Sequence, residues 1–153
     1  MRTATIADMD ATDRAILSEL TQNARISFRD LGAAVGLSAN AAADRVRRLR
    51  ETGVITGFTA TIDQGAAGRG LIAYIDIRMA AQMTNDQFEI EASKLDAVME
   101  AVHLTGRSDY LLRVACRDTL ELDQLLRQLK REHGVSDTET RIVLRSAFTR
   151  GAP

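Results

Sequence analysis

The sequence predicts an α+β protein of two units, three short helices followed by a βαββαβ run. Three observations carry this. Up to about Thr52, apolar residues recur at helical spacing behind Asp and Ser residues suited to capping. From Leu71 to Phe148, helix-period and strand-like segments alternate. Between them, Asp63-Gln-Gly-Ala-Ala-Gly-Arg-Gly70 gathers three glycines and marks the boundary. The expected units are residues 1–62 and 71–153, with a β-rich linker over about 54–70.

Asp10-Ala-Thr-Asp13 reads as a helix start, Asp10 capping and Asp13 favoured by the first-turn dipole. Ile16, Leu17 and Leu20 then mark one buried face. Ser27-Phe-Arg-Asp30 repeats the device, with Leu31 and Val35 on the apolar side, and Gly36 stops this short helix. Ser38 caps a third helix running to about Thr52, whose inner stripe is Ala42, Val46 and Leu49. Gly53 ends it. Two helices joined by a tight Gly-containing turn form a helix-turn-helix. The segment Gly53–Ile62 reads as extended and β-rich, so the unit is expected to be of winged type.

Leu71–Met79 is the first strand of the second unit. Thr84 and Gln87 fit a capping box for a helix over about Asn85–Leu95, with Phe88, Ala92 and Leu95 inward. Strands Val98–Thr105 and Tyr110–Arg117 follow, joined by Gly106-Arg-Ser-Asp109. Asp118-Thr-Leu-Glu121 opens a helix burying Leu122, Leu125, Leu126 and Leu129, and Gly134 closes it. A last strand, broadly Thr138–Phe148, completes the ferredoxin-like pattern, one antiparallel sheet with both helices on one face. The other face, with apolar residues in strands such as Leu71–Met79, is expected to be covered by a second copy, the alternative cover being the N-terminal unit.

The chain of 153 residues balances 20 Lys+Arg against 21 Asp+Glu, which excludes an acidic disordered tail and a histone-like basic protein. A locally basic face is still compatible with DNA. One cysteine, Cys116, permits no internal disulfide and is read as a small buried hydrophobe in a reducing compartment. The N-terminus lacks an apolar signal core, and no segment approaches the roughly 18 apolar residues of a membrane span. A cytoplasmic protein without membrane association is expected.

Over Met9–Phe148 the chain resembles the Lrp/AsnC family of transcriptional regulators. The resemblance rests on Asp10-x-x-Asp13-x-x-Ile-Leu, Asn-Ala-Arg25-Ile-Ser, Leu31-Gly-x-x-Val-Gly-Leu-Ser38, Arg45-Val-x-Arg48-Leu and Gly53-Val-Ile-x-Gly-Phe58. In the second unit it rests on Thr105-Gly-x-x-Asp109-Tyr-Leu-Leu-Arg-Val114 and Gly134-Val-x-x-Thr-x-Thr-x-Ile-Val143. It implies a homodimer, in many members assembled further into octamers, that binds double-stranded DNA and senses a small molecule, usually an amino acid. Prolines common in the family are replaced here by His133 and by Gln64-Gly65.

With Ala42, Val46 and Leu49 inward, the third helix offers its N-terminal part to a major groove. Asn40 suits adenine, Ala39 or Ala43 thymine methyls, and Arg47 a guanine edge or phosphate. Arg25, Arg45 and Arg48 are expected as phosphate anchors, with Ser27 and Ser38 beside them. Four arginines face only Asp44 between Ala39 and Arg50. The run Ala41-Ala42-Ala43 supplies no hydrogen-bonding side chains, so recognition should favour A/T-rich DNA through its shape.

The effector is expected at the Thr105–Tyr110 connection. Thr105, the backbone of Gly106 and Arg107, and Asp109 could meet a carboxylate and an ammonium, with Tyr110 alongside. The resemblance puts such a site at a subunit interface, with Thr138 and Thr140 as candidates for the partner's contribution. The same Gly-x-x-Asp pattern also suits a plain hairpin in which Asp109 satisfies turn amides.

Two alternatives share the architecture. Sirohaem decarboxylases resemble this family in both domains and need basic residues around a tetrapyrrole, yet only His103 and His133 occur here. A non-sensing architectural DNA protein would keep the basic helix and ignore metabolites. No HxxxH, CxxC, nucleophile elbow or phosphate loop is present, so neither catalysis nor a cofactor or metal is expected.

Overall fold

The computed structural model describes residues 9–147. They form two compact units, one running to Thr61 and one spanning Ile62–Ala147.

The first unit holds α1 (Ala11–Gln22), α2 (Phe28–Val35) and α3 (Ala39–Glu51). Each start is capped as the sequence dictates. Asp10 and Asp13 form a reciprocal capping box, the Ser27 hydroxyl accepts from the Asp30 amide, and the Ser38 hydroxyl accepts from the Ala41 amide. Gly36 closes α2 at φ +72° and Gly53 follows α3 at φ +76°, left-handed conformations that favour glycine. Ile16, Leu31, Ala42, Val46 and Leu49 make the core, with Leu17, Leu20 and Val35 packed on it. Val54 and Ile55 fold back onto this core, but residues 54–62 contain no paired strand. The β-rich expectation is corrected there because, among the described residues, no other segment of the unit offers a free strand edge to pair with.

The second unit runs β1 (Leu71–Met79), α4 (Asn85–Ala92), β2 (Val98–His103), β3 (Tyr110–Cys116), α5 (Thr119–Glu132) and β4 (Val135–Ile142). The strands form one antiparallel sheet in the order β2-β3-β1-β4. Alternation places Ala73, Ile75 and Ile77 of β1 beside Val114, Leu112 and Tyr110 of β3 on one face. Phe88 and Ala92 of α4 and Leu122, Leu125 and Leu129 of α5 bury that face. Ile72, Tyr74, Asp76 and Arg78 alternate onto the opposite face, with Leu111 and Arg113 beside them.

Several boundaries differ from those expected. Helix α4 stops at Ala92, where the Leu95 amide turns back onto the Ala92 carbonyl, although Leu95 still packs on the core. Strand β2 ends at His103, and the Leu104 amide closes the hairpin on the Asp109 carbonyl. Strand β4 starts at Val135 rather than Thr138 and ends at Ile142. Gly134, at φ +62°, turns the chain directly against the end of β1, and beyond Val143 only Leu71 of β1 is left to pair with. The expected strand end at Phe148 lies outside the described residues.

Candidate DNA-binding face and ligand cleft

Gly32 of α2 packs directly against the turn that leads into α3. A Cβ added there would lie 2.6 Å from the Leu37 carbonyl oxygen and 3.1 Å from Ser38 backbone atoms. The absent side chain lets the turn through Gly36–Ser38 close and sets α3 across α2. With Ala42, Val46 and Leu49 buried, Asn40, Asp44 and Arg47 are exposed and Ala39, Ala41 and Ala43 half-buried along the first turns. This is a small, weakly polar reading edge with one amide. Arg47 donates to Asp44 at 2.6 Å, both side chains exposed, a surface pair that water and salt readily release. Further along, the Arg50 guanidinium lies 6.0 Å from the Phe58 ring centroid.

The two expected phosphate anchors on α3 are corrected. Arg45 donates to Asp10 at 2.6 Å and to Asp13 at 2.9 Å, and Arg48 reaches the other Asp13 oxygen at 2.6 Å. Asp13 is completely buried, so this charge can be desolvated only because two guanidiniums meet it. Their first task is to lock α3 onto α1. The Asp13 amide and the Arg45 guanidinium together hold the Asp10 carboxyl below its ordinary pKa, and Asp10 and Asp13 in turn hold Arg45 protonated. The charge excess read along α3 is therefore largely met from α1. Ser27 is exposed, and its hydroxyl caps α2 and donates to Asp30 at 2.6 Å. Arg25 stands exposed at the loop before α2, as an anchor requires.

In the second unit, the Thr105–Ser108 connection leaves Thr105, Gly106 and Arg107 exposed, with Gly106 at φ +121°. Asp109 does not present its carboxylate freely. One oxygen accepts the Met79 amide at 2.7 Å, and its own amide donates to the Ile77 carbonyl at 2.8 Å. The carboxylate clamps the hairpin to β1 rather than satisfying amides of its own turn, and that oxygen is already engaged.

Tyr110 is corrected from ligand contact to core. Its ring is buried between Phe88 and His103, centroids 4.7 Å away in each case, and its hydroxyl donates to Glu89 at 2.7 Å. Burial, reinforced by that carboxylate, pushes its pKa up to about 12. Thr140 sits opposite Ile75 on the helix-covered side and does not join the connection.

Arg107 and Thr138 do come together. With Ser108 they border a cleft of about 350 Å³ completed by Asp76, Arg78, Asp137, Glu139 and Arg141. Asp76 pairs with Arg141, and the Arg78 Nε donates to the Arg107 carbonyl at 2.9 Å. These charged residues were missed in the sequence. Their signal was the period-two alternation of β1, which sets Asp76 and Arg78 opposite to Ile75 and Ile77.

His103 stacks on Tyr110, and His133 is buried with neither ring nitrogen hydrogen-bonded. Cys116 is buried as expected, and burial raises its thiol pKa. Among the described residues no cluster of three or more His, Cys, Asp or Glu could hold a metal, and no helix is long and apolar enough to cross a membrane.

Comparison with known proteins agrees with this two-part organisation. Residues 9–50 match the AsnC-type helix-turn-helix domain and residues 72–153 the Lrp/AsnC ligand binding domain. An HTH-type transcriptional regulator of Mycobacterium tuberculosis is 35% identical over 95% of this chain and 98% of its own length. The leucine-responsive regulatory protein of Escherichia coli is 36% identical over 90% of this chain and 85% of its own. Among solved structures, a transcriptional regulator of Neisseria meningitidis in complex with L-Met superposes with a TM-score of 0.86 at 27% identity, covering 95% and 96% of the two chains. Escherichia coli AsnC gives 0.84 at 28% identity, covering 94% and 97%. A capped helix-turn-helix followed by the family's ligand-binding sheet makes this chain a member of the Lrp/AsnC family, a DNA-binding transcriptional regulator.

Proposed function

We propose that the protein binds A/T-rich duplex DNA through the first turns of α3, as a homodimer or higher assembly, and that an amino acid modulates this. The observation that carries the DNA reading is the edge of Asn40, Ala43 and Arg47, offered to solvent beyond a turn that only Gly32 allows to close. Asn40 pairs bidentately with adenine, and the alanines leave room for thymine methyls. Arg25, Arg50 and released Arg47 supply phosphate contacts, and multiple protomers multiply a modest single-site affinity.

Self-association is supported by the sheet face opposite the helices, where Ile72, Tyr74 and Leu111 remain only half-buried. The amino-acid reading is supported by the cleft beside Arg107, which offers both cations for a carboxylate and carboxylates for an ammonium. The Neisseria relative holding L-Met and the leucine-responsive relative of Escherichia coli point the same way. The role is regulatory rather than enzymatic, exercised in the cytoplasm without cofactor or metal.

Fluorescence anisotropy with labelled A/T-rich and G/C-rich duplexes of equal length tests the DNA reading, and sedimentation velocity tests the assembly. Tighter binding to the A/T-rich duplex by a dimer or larger species is expected. Equal affinity for both duplexes contradicts A/T preference, and a monomer at micromolar concentration contradicts the assembly.

A further inference from the structure

We propose that the effector is an amino acid with a polar side chain, amide, acidic or basic, held in the cleft between Arg107 and Glu139. This rests on the amino-acid reading above and narrows it.

The lining of the cleft decides the class. Six of the eight bordering residues are charged, Asp76, Arg78, Arg107, Asp137, Glu139 and Arg141, and Ser108 adds a hydroxyl, while Thr138 borders the cleft from a register opposite Ile77. Asp76 and Arg141 already satisfy one another. One Asp137 oxygen accepts the Thr138 amide at 2.9 Å, and the Arg78 Nε is committed to the Arg107 carbonyl. What remains is a set of opposed charges with open valences. Arg107 and Glu139 pair with no other described side chain, Arg78 keeps its terminal nitrogens, and Asp137 keeps its second oxygen.

An α-amino acid uses one carboxylate-binding cation and one ammonium-binding anion. That leaves a second guanidinium and a second carboxylate facing the ligand's side chain. An aliphatic side chain there would strip water from these groups and return nothing, an uncompensated desolvation. An amide, carboxylate or cationic side chain replaces the lost water with charge-assisted hydrogen bonds. In this arrangement one of Arg78 and Arg107 binds the α-carboxylate and one of Asp137 and Glu139 the ammonium, and the other member of each pair meets the polar side chain. The cleft therefore rejects leucine and methionine, the amino acids associated with the Escherichia coli and Neisseria relatives.

The test is the thermal midpoint of the full chain with each of Asp, Glu, Asn, Gln, Lys and Arg, against Leu, Ile, Val and Met. A rise of several degrees with at least one polar amino acid and none of the aliphatic four is expected, and Arg107→Ala and Glu139→Gln should each abolish it relative to their own ligand-free midpoints. A rise with any aliphatic member overturns the polar class while leaving the amino-acid reading intact. A polar response that survives both substitutions places the ligand outside this cleft and overturns the proposal. Silence across all ten overturns the amino-acid reading, and this narrower one with it.

Discussion

Asp13 and Arg48 meet at 2.6 Å across 35 residues of chain, and the carboxylate between them and Arg45 is completely buried. Removing the anion leaves Arg48 without its partner and Arg45 with Asp10 alone, whereas removing one guanidinium leaves Asp13 the other. Asp13→Asn should therefore destabilise the helical unit by about 3 kcal/mol, near the lower end for breaking a buried pair because Arg48 is half exposed. Arg48→Ala should cost clearly less. Urea unfolding followed by helical circular dichroism measures both, and equal losses would contradict the clamp.

Asp10 supplies the pH dependence of the same clamp. Its carboxyl is held below the ordinary value, so its contribution is fully present above about pH 4 and disappears as pH falls through the lowered pKa. The helical unit should hold its urea midpoint from neutrality to about pH 4 and lose it below. Asp10→Asn should flatten that acid limb.

Gly32→Ala pushes a Cβ to 2.6 Å from the Leu37 carbonyl oxygen, a backbone atom that cannot move without opening the turn. A loss of about 1–3 kcal/mol is expected, together with weaker DNA binding. At Gly36 a Cβ meets nothing within 4 Å, so Gly36→Ala tests backbone strain alone and should cost about 1 kcal/mol. Unfolding midpoints of the two variants rank them.

Tyr110 donates to Glu89 from within the sheet core, and its pKa is raised to about 12. A raised acid pKa means that its stabilising contribution is complete below about pH 10 and is lost as pH climbs toward 12. Tyr110→Phe should cost about 1 kcal/mol at neutral pH. It should also remove the latest-titrating phenolate signal from the ultraviolet absorbance, and a titration curve unchanged by the substitution would refute the assignment.

What could be read from the chain alone followed local chemistry. Asp10, Ser27, Ser38 and Thr84 cap the helices they were expected to cap, because a cap needs only an amide three residues on. Val46 and Leu49, or Leu125 and Leu129, declare their buried faces through spacing. Partnerships across the fold were not legible. Nothing near Arg45 or Arg48 reveals that Asp13 awaits them, and Asp109 looks the same whether it meets a ligand or the Met79 amide. Tyr110 stands next to a loop in sequence, yet strand alternation turns its ring into the core. The cleft draws Asp76, Arg107 and Glu139 from three separate strands and turns, so only the sheet order could assemble it.

The central claim, that the first turns of α3 read DNA while Arg45 and Arg48 hold α3 to α1, is tested most directly by duplex affinity as a function of salt for Asn40→Ala, Arg50→Ala and the parent protein. Asn40→Ala should lose about 1–3 kcal/mol on the A/T-rich duplex and little on the G/C-rich one, with an unchanged salt slope, whereas Arg50→Ala should weaken both and lower the slope by about one per protomer bound. Asn40→Ala binding both duplexes as the parent does would contradict the assignment of α3 as the reading helix.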